Sequence, residues 1–231
     1  MSKLNKQFFI TGTDTGVGKT FVSCRLLEAV NERGISTLGL KPLASGCEYI
    51  GDQWQNDDAL ALQRCASVKL PYAKINPIPL PRAVAPHLAA KIQGIELSVT
   101  TLVNHYQTLQ PLPSEFTLLE GTGGWLVPLN ARETFADFVA AINIPVILVV
   151  GIRLGCINHA LLTAHAIRNG NVSLAGWVGN CVDPETELRE EIIDTLTMRL
   201  DAPCLGCVPH RIGNKMISDP SEFFDLEQIL K

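Results

Sequence analysis

Gly12-Thr-Asp-Thr-Gly-Val-Gly-Lys-Thr20 follows the apolar run Phe8-Phe9-Ile10 and precedes a helical pattern that begins near Phe21. Strand, glycine-bearing turn, Lys-Thr and helix, in that order, make a phosphate-binding loop. The turn's backbone N–H groups and the positive end of the helix would face a polyphosphate. Lys19 would reach the β and γ phosphates, and the Thr20 hydroxyl would ligate Mg²⁺. The loop departs from the usual spacing at its start. Thr13 stands where the first glycine belongs, and Gly12 comes one residue early.

The chain alternates outward from this loop. Residues 7–11 read as a buried strand, and the helix after Gly18 carries Val22, Leu26, Leu27 and Val30 at helical spacing up to a glycine cap at Arg33-Gly34. Thr37 to Leu40 is a second strand, stopped at Lys41-Pro42. A polar loop over 44–56 leads to a helix opened by Asp57-Asp58, where acidic residues oppose the helix dipole. Residues 71–88 hold five prolines and read as irregular but ordered, a long loop of the kind that covers a site. Next come a helix over Leu97–Leu109, a strand over Phe116–Leu119 and a helix over 133–142. Pro145 to Val150 is wholly apolar, as a central parallel strand should be. Gly151 to Gly155 turns the chain into a helix from Cys156 to about Asn169. A strand over Leu174–Val178, a helix over Glu187–Leu200, a strand over Cys204–Val208 and a closing helix over 219–230 follow. The alternation predicts an α/β fold: a single-domain, doubly wound, mostly parallel sheet of the P-loop NTPase type, spanning 1–231.

Composition limits the classes of function. Of the 231 residues 46% are hydrophobic and 18% charged, which describes a globular chain, and the net charge of −4 predicts neither a nucleic-acid nor an anionic-membrane partner. The opening residues do not form a signal peptide, and the longest apolar run, Ile144 to Ile152, is about half a membrane span, so a cytoplasmic location is expected. Seven scattered cysteines suit reduced thiols used as small apolar residues. Cys204-Leu-Gly-Cys207 is an isolated C-x-x-C, and on an extended strand its two thiols would point to opposite faces.

Ligands of such sheets lie beyond the carboxyl ends of the strands, which makes the strand-end residues the site hypothesis. They are the phosphate loop, Lys41, Ser45, Glu120-Gly121-Thr-Gly123-Gly, Gly155-Cys156-Ile-Asn158, Asn180 and Pro209. Glu120 occupies the place of an acidic Mg²⁺ ligand. Lys41 is either a lysine snorkelling from a sheet edge or a second cation facing Lys19 across a transferred phosphoryl group. The Asn180 amide matches the N6 and N7 edge of adenine. The run Asn180-Cys-Val-Asp183 has cysteine where guanine readers carry lysine, which favours ATP.

Taken together, these blocks resemble the dethiobiotin synthetases. The resemblance is carried by Thr11 to Thr20, Leu40-Lys-Pro-Leu-Ala-Ser-Gly46, Asn56-Asp-Asp-Ala-Leu60, Glu120 to Trp125, Val149 to Ala160 and Ala175-Gly-Trp-Val-Gly-Asn180. It implies a homodimer that converts 7,8-diaminopelargonate, CO₂ and ATP to dethiobiotin, ADP and phosphate, by way of a carbamate and a carbamic–phosphoric anhydride. It further implies that Thr20, Asp58 and Glu120 hold Mg²⁺, although Asp57 shares the first turn with Asp58. Lys19 and Lys41 would stabilise the carbamate and γ-phosphate, with Thr15 and Ser45 bonding nearby. Gly16, Val17, Gly18, Lys19, Thr20 and Phe21 would wrap the ATP phosphates, with Gly121 and Gly123 also on the nucleotide side. Asn180 and Pro209 would line the adenine pocket. Gly155, Cys156 and Asn158 would bind the substrate carboxylate of the partner subunit's site. The chain departs from the family at Gly16, where relatives carry glutamate, at Ile192, where a tyrosine falls, and after Pro209 in His210-Arg-Ile212. Two rival readings are a related P-loop ligase or amidase acting on another substrate and a nucleotide-switched ATPase without ligase activity.

Overall fold

The computed structural model describes residues 5–210 and 219–231; the first four residues and, in the divergent segment after Pro209, Arg211 and Ile212 lie outside the described residues. The centre of the fold is β1 (Lys6–Gly12), in which Phe8, Phe9 and Ile10 alternate across the sheet. Phe9 points to one face, where its ring lies 5.5 Å from that of Phe135. Phe8 and Ile10 point to the other, against Val22, Leu26, Leu27 and Val30 of α1 (Lys19–Glu32). Both faces are therefore covered, as an all-parallel sheet requires.

β2 (Thr37–Leu40) does not pair with β1. Instead β7 (Phe116–Glu120) lies between them, and β8 (Val146–Gly151) flanks β1 on the other side. With β9 (Leu174–Asn180) and β10 (Cys204–Val208), the strand order is β10-β9-β8-β1-β7-β2, every pair parallel. The connection leaving β1 runs toward β2, whereas those leaving its neighbours β7 and β8 run toward β10, so the loop after β1 sits at a switch point flanked by β7 and β8. Thr13 N–H bonds to Val149 O (3.1 Å), and Gly121 N–H to Ile10 O (3.0 Å), from the two sides. The helix α2 (Asp57–Cys65) begins at the expected Asp57, and α5 (Val99–Thr108), α6 (Phe135–Ile142), α7 (Cys156–Asn169) and α8 (Arg189–Arg199) begin and end within a few residues of the expected limits.

The structure corrects three expectations. The polar loop over 44–56 contains β3 (Leu43–Ser45) and a hairpin of β4 (Glu48–Ile50) and β5 (Gln53–Gln55). That hairpin turns on Gly51 (φ 57°) and Asp52 (φ 64°), a two-residue left-handed turn. Its strands are mostly exposed, so no apolar alternation marked them, although Tyr49 and Trp54 pack edge to face across it. The proline-rich segment holds α3 (Tyr72–Ile75) and β6 (Ile78–Leu80), and α4 (Pro86–Gln93) begins within it. Pro79 fits β6 because that strand pairs on one side only, with β3, and Pro86 fits because the first helical position needs no N–H.

The third correction is at the C-terminal edge. The expected closing helix is split into a 3₁₀ turn (Pro220–Phe223) and α9 (Leu226–Leu230) by Phe224, which bridges to Gly206 of β10. A Cβ at Gly206 would fall 2.0 Å from Phe223 O, so only glycine admits this approach. The same place carries an irregularity in the β9–β10 register. Through it Cys204 and Cys207, expected on opposite faces, both pack into the cluster formed by Leu148, Val150 and Trp177 with α7 and α8.

Candidate active site

Beyond the carboxyl ends of β1, β2 and β7 lies a cavity of about 670 Å³, lined by Thr15, Gly16, Gly18, Lys19, Thr20, Lys41, Ser45, Asp58 and Gly123 among others. That volume is in the range of small-molecule sites. Lys41 is the hub. Its Nζ donates to Asp58 Oδ2 (2.8 Å) and Glu120 Oε1 (2.7 Å) and lies 3.4 Å from Gly121 O. The side chain is 3% exposed, so it does not snorkel from the sheet edge.

The surroundings of Lys41 come from the proline-rich segment. Lys41 N–H bonds to Ile75 O (3.0 Å), and Asn76 Nδ2 donates to Lys41 O (2.7 Å). The Tyr72 hydroxyl donates to Asn76 Oδ1 and accepts from Asn56 N–H. Asn56 in turn caps α2, accepting from Ala59 N–H. This buried chain of polar groups fixes the start of α2 relative to β2, and it settles which aspartate faces inward. Asp58 lines the cavity, while Asp57 is exposed.

Glu120 is fully buried, and its two oxygens are gripped from one face of α1. Thr20 Oγ1 donates to Oε1 (2.7 Å) and Ser23 Oγ to Oε2 (3.0 Å). Residues three apart share a helix face, which explains how one helix holds both oxygens. Ser23 was not singled out from sequence, although its i+3 spacing from Thr20 is a usable signal.

Electrostatics differ sharply between the two lysines. Burial pushes the Lys41 pKa down, but the charges of Glu120 and Asp58 outweigh it, and it stands above the ordinary value. Asp58 is penalised by burial, yet Lys41 brings its pKa below the usual carboxylate range. Among the described residues Lys19 donates only to the backbone Asp14 O (3.2 Å); burial and the like charge of Lys41 lower its pKa to about 8. A neutral Lys19 attracts phosphate less, so ADP affinity should be flat from about pH 7 to 8, where the phosphate keeps its charge, and weaken above that, approaching tenfold per pH unit. Calorimetric titrations of ADP across that range check this. A flat Kd would show that Lys19 does not meet the phosphates.

The remaining expected residues divide into two groups. Gly16 is exposed at φ 76° with open space around it, and Gly123 stands beside Thr15. Phe21 lies half-buried under the Arg25 guanidinium, and Gly121 packs on the Phe9 ring, where a Cβ would come within 2.7 Å. Asn180 is buried behind the loop, its Nδ2 donating to Val17 O (2.9 Å). Pro209 is exposed just beyond the end of β10. Gly155, Cys156 and Asn158 do not line the cavity. They sit at the start of α7, with Cys156 buried and the other two exposed. Ile192 packs on the α7–α8 cluster. A further contact missed in the sequence is Arg153 to Asp14 (3.3 Å), which ties the loop after β8 to the phosphate loop.

The donor set suits a hard cation. Two carboxylates share the Lys41 ammonium and the Thr20 hydroxyl bonds one of them, and Mg²⁺ is commonly held by one or two carboxylates while sharing phosphate oxygens.

A family model described as an AAA domain matches residues 6–214. The chain is 51% identical over 202 residues to the ATP-dependent dethiobiotin synthetase BioD of Pseudomonas paraeruginosa (strain DSM 24068 / PA7), covering 87% of this chain and 89% of that protein. It is 48% identical over 230 residues to the protein of the same name from Cellvibrio japonicus (strain Ueda107), covering 100% of this chain and 99% of the relative. Among solved structures, the MinC:MinD cell division complex of Aquifex aeolicus aligns with a TM-score of 0.56 at 12% identity, covering 94% of this chain and 86% of the other. The septum site-determining protein MinD of Pyrococcus horikoshii OT3 aligns at 0.52 and 16%, covering 89% and 81%. At such identities the likeness is one of fold alone.

Proposed function

This chain belongs to the ATP-dependent dethiobiotin synthetase family, and from that premise we propose how its cavity carries the reaction. The protein is an ATP-dependent ligase of biotin biosynthesis. The observation that carries the residue assignment is the convergence of Asp58 and Glu120 on the Lys41 ammonium, with the Thr20 hydroxyl bonded to Glu120, beside the phosphate loop.

Thr20, Asp58 and Glu120 hold Mg²⁺, which when bound supplies charge neutralisation to the β and γ phosphates. Gly16 to Phe21 wrap the phosphates through backbone N–H groups. Lys19 and Lys41 take opposite sides of the reacting oxygens. One amine of 7,8-diaminopelargonate takes up CO₂ as a carbamate, and Thr15 and Ser45 orient it. A carbamate oxygen attacks the γ-phosphorus and ADP leaves. The second amine then closes the ring and expels phosphate. A carbamate is a poor electrophile, and phosphorylation supplies the leaving group, so the chain needs placement and charge rather than a nucleophilic side chain. Asn180 and Pro209 bound the adenine site, with Gly121 and Gly123 on the nucleotide side.

The whole chain acts as one domain within a homodimer, and Gly155, Cys156 and Asn158 reach the substrate carboxylate in the partner's site. Two observations support this. The N-terminus of α7 is exposed with no side-chain cap, and Leu154 and Leu162 beside it are 97% and 62% exposed, an apolar surface suited to a second copy. Among the described residues no helix is long and apolar enough to cross a membrane, and a cytoplasmic enzyme is the reading we favour. The test is phosphate release from ATP with Mg²⁺ and bicarbonate. Diaminopelargonate should stimulate it strongly, and no stimulation at millimolar diamine would overturn the assignment.

A further inference from the structure

Two thiols that the reaction does not use lie together at the end of β9 and β10. Cys181 Sγ and Cys207 Sγ are 3.8 Å apart, across neighbouring parallel strands rather than within the C-x-x-C motif. Cys181 follows directly on Asn180, and its N–H bonds to Val208 O (2.9 Å), while its own carbonyl accepts from His210 Nδ1 (3.1 Å). Cys207 is two residues before Pro209. The pair thus joins the two strand ends that carry the base-side residues of the proposed nucleotide site.

We propose that Cys181 and Cys207 form a modification site, an intramolecular disulfide made by peroxide or a disulfide oxidant, and that its closure weakens nucleotide binding. The second half rests on the placement of Asn180 and Pro209 argued above; the first does not. The chemistry balances with hydrogen peroxide. One thiolate attacks a peroxide oxygen, the O–O bond breaks, and a sulfenic acid and water result. The other thiol then attacks the sulfenic sulfur, S–S forms as S–O breaks, and a second water leaves. Two electrons pass from the sulfur pair to the peroxide. Cys207 is partly exposed, which opens the pair to solvent, whereas Cys181 is buried. The Cys181 thiol is acidified to about 7, first by its hydrogen bond with Cys207 and then, against the cost of burial, by Arg189, which supplies the thiolate that exchange requires.

Closing the bond brings the sulfurs from 3.8 Å to about 2 Å. That displacement falls next to Asn180, whose amide donates to Val17 O of the phosphate loop and would meet a Cβ on Gly18 at 2.1 Å. So tight a contact transmits small movements.

The experiment treats the purified protein with hydrogen peroxide, with diamide in parallel, and maps it without reduction. A tryptic cross-link should join peptides 169–189 and 200–211, persist in Cys204→Ser, and vanish in Cys207→Ser. In the same samples the Kd for ATP should rise about tenfold, the worth of one lost hydrogen bond, and return with dithiothreitol. Absence of the cross-link, or its survival in Cys207→Ser, overturns the site. A cross-link with unchanged ATP affinity supports the site and overturns its effect on nucleotide binding, and unchanged ATP affinity in Asn180→Ala as well overturns the base-side placement.

Discussion

Lys41→Gln is expected to lower turnover by at least about 10²–10³-fold while ATP binding remains. The argument begins with burial. The lysine is 3% exposed, fully charged, and the one cation within hydrogen-bond reach of both Asp58 and Glu120 among the described ion pairs. It lines the same cavity as Lys19 but directly follows β2 rather than belonging to the phosphate loop, so nucleotide contacts survive its loss. Glutamine is one atom shorter and carries no charge, and leaves two carboxylates without their shared cation. Breaking a buried ion pair costs about 3–5 kcal/mol. The variant should therefore also unfold at lower denaturant, and Mg²⁺, by taking up the carboxylate charge, should recover part of the loss. Single-turnover phosphate release and ADP titration separate the two effects. If ADP affinity falls in step with turnover, Lys41 belongs to the nucleotide site and the division of labour proposed above is wrong.

What the sequence made legible follows from which forces are local. β1, α1, β2 and β8 were placed to within a residue or two, because an all-parallel sheet buried on both faces writes itself as short apolar runs. The phosphate loop was legible because backbone geometry requires the glycines, and phosphate and metal chemistry the lysine and threonine, at stated positions. The hairpin over 48–55 was not, because its strands are exposed and its only signal was Gly51-Asp52. Nor was the role of the proline-rich segment. Five prolines suggest a loop, but Tyr72 and Asn76 gain structure by long-range bonds to Asn56 and Lys41, which no local pattern contains. Cys204 and Cys207 went astray for a related reason: a bulge imposed by contact with Phe223–Phe224 breaks the two-residue alternation on which the expectation rested. Nearly the same was true of Ser23, an unremarkable helix residue until Glu120 arrives from 97 positions away.

Glu120→Gln tests the link between fold and chemistry at that point. The carboxylate is fully buried and takes three charge-assisted or neutral hydrogen bonds, from Lys41, Thr20 and Ser23. The amide preserves volume and can still accept from one side, but its NH₂ group must then replace an acceptor. If the amide nitrogen faces Lys41, donor meets donor; if it faces Ser23, the hydroxyl must rotate to accept. The second arrangement is the less costly, and it still leaves Lys41 with Asp58 as its sole carboxylate partner. The expected loss of stability is about 3 kcal/mol, read as a shifted urea midpoint with unchanged m-value. Because Oε1 is also the oxygen that faces Thr20 and Lys41, the same change keeps an oxygen there but removes the negative charge of one ligand from the proposed Mg²⁺ set. Activity should fall by about 10²-fold or more, and Mn²⁺ binding to the ADP complex, measured by electron paramagnetic resonance, should weaken with it. Ser23→Ala distinguishes the causes, since it frees Oε2 without altering charge. If Glu120→Gln unfolds more easily yet binds Mn²⁺ as the parent does, Glu120 is a structural counterion to Lys41 and the metal is held elsewhere.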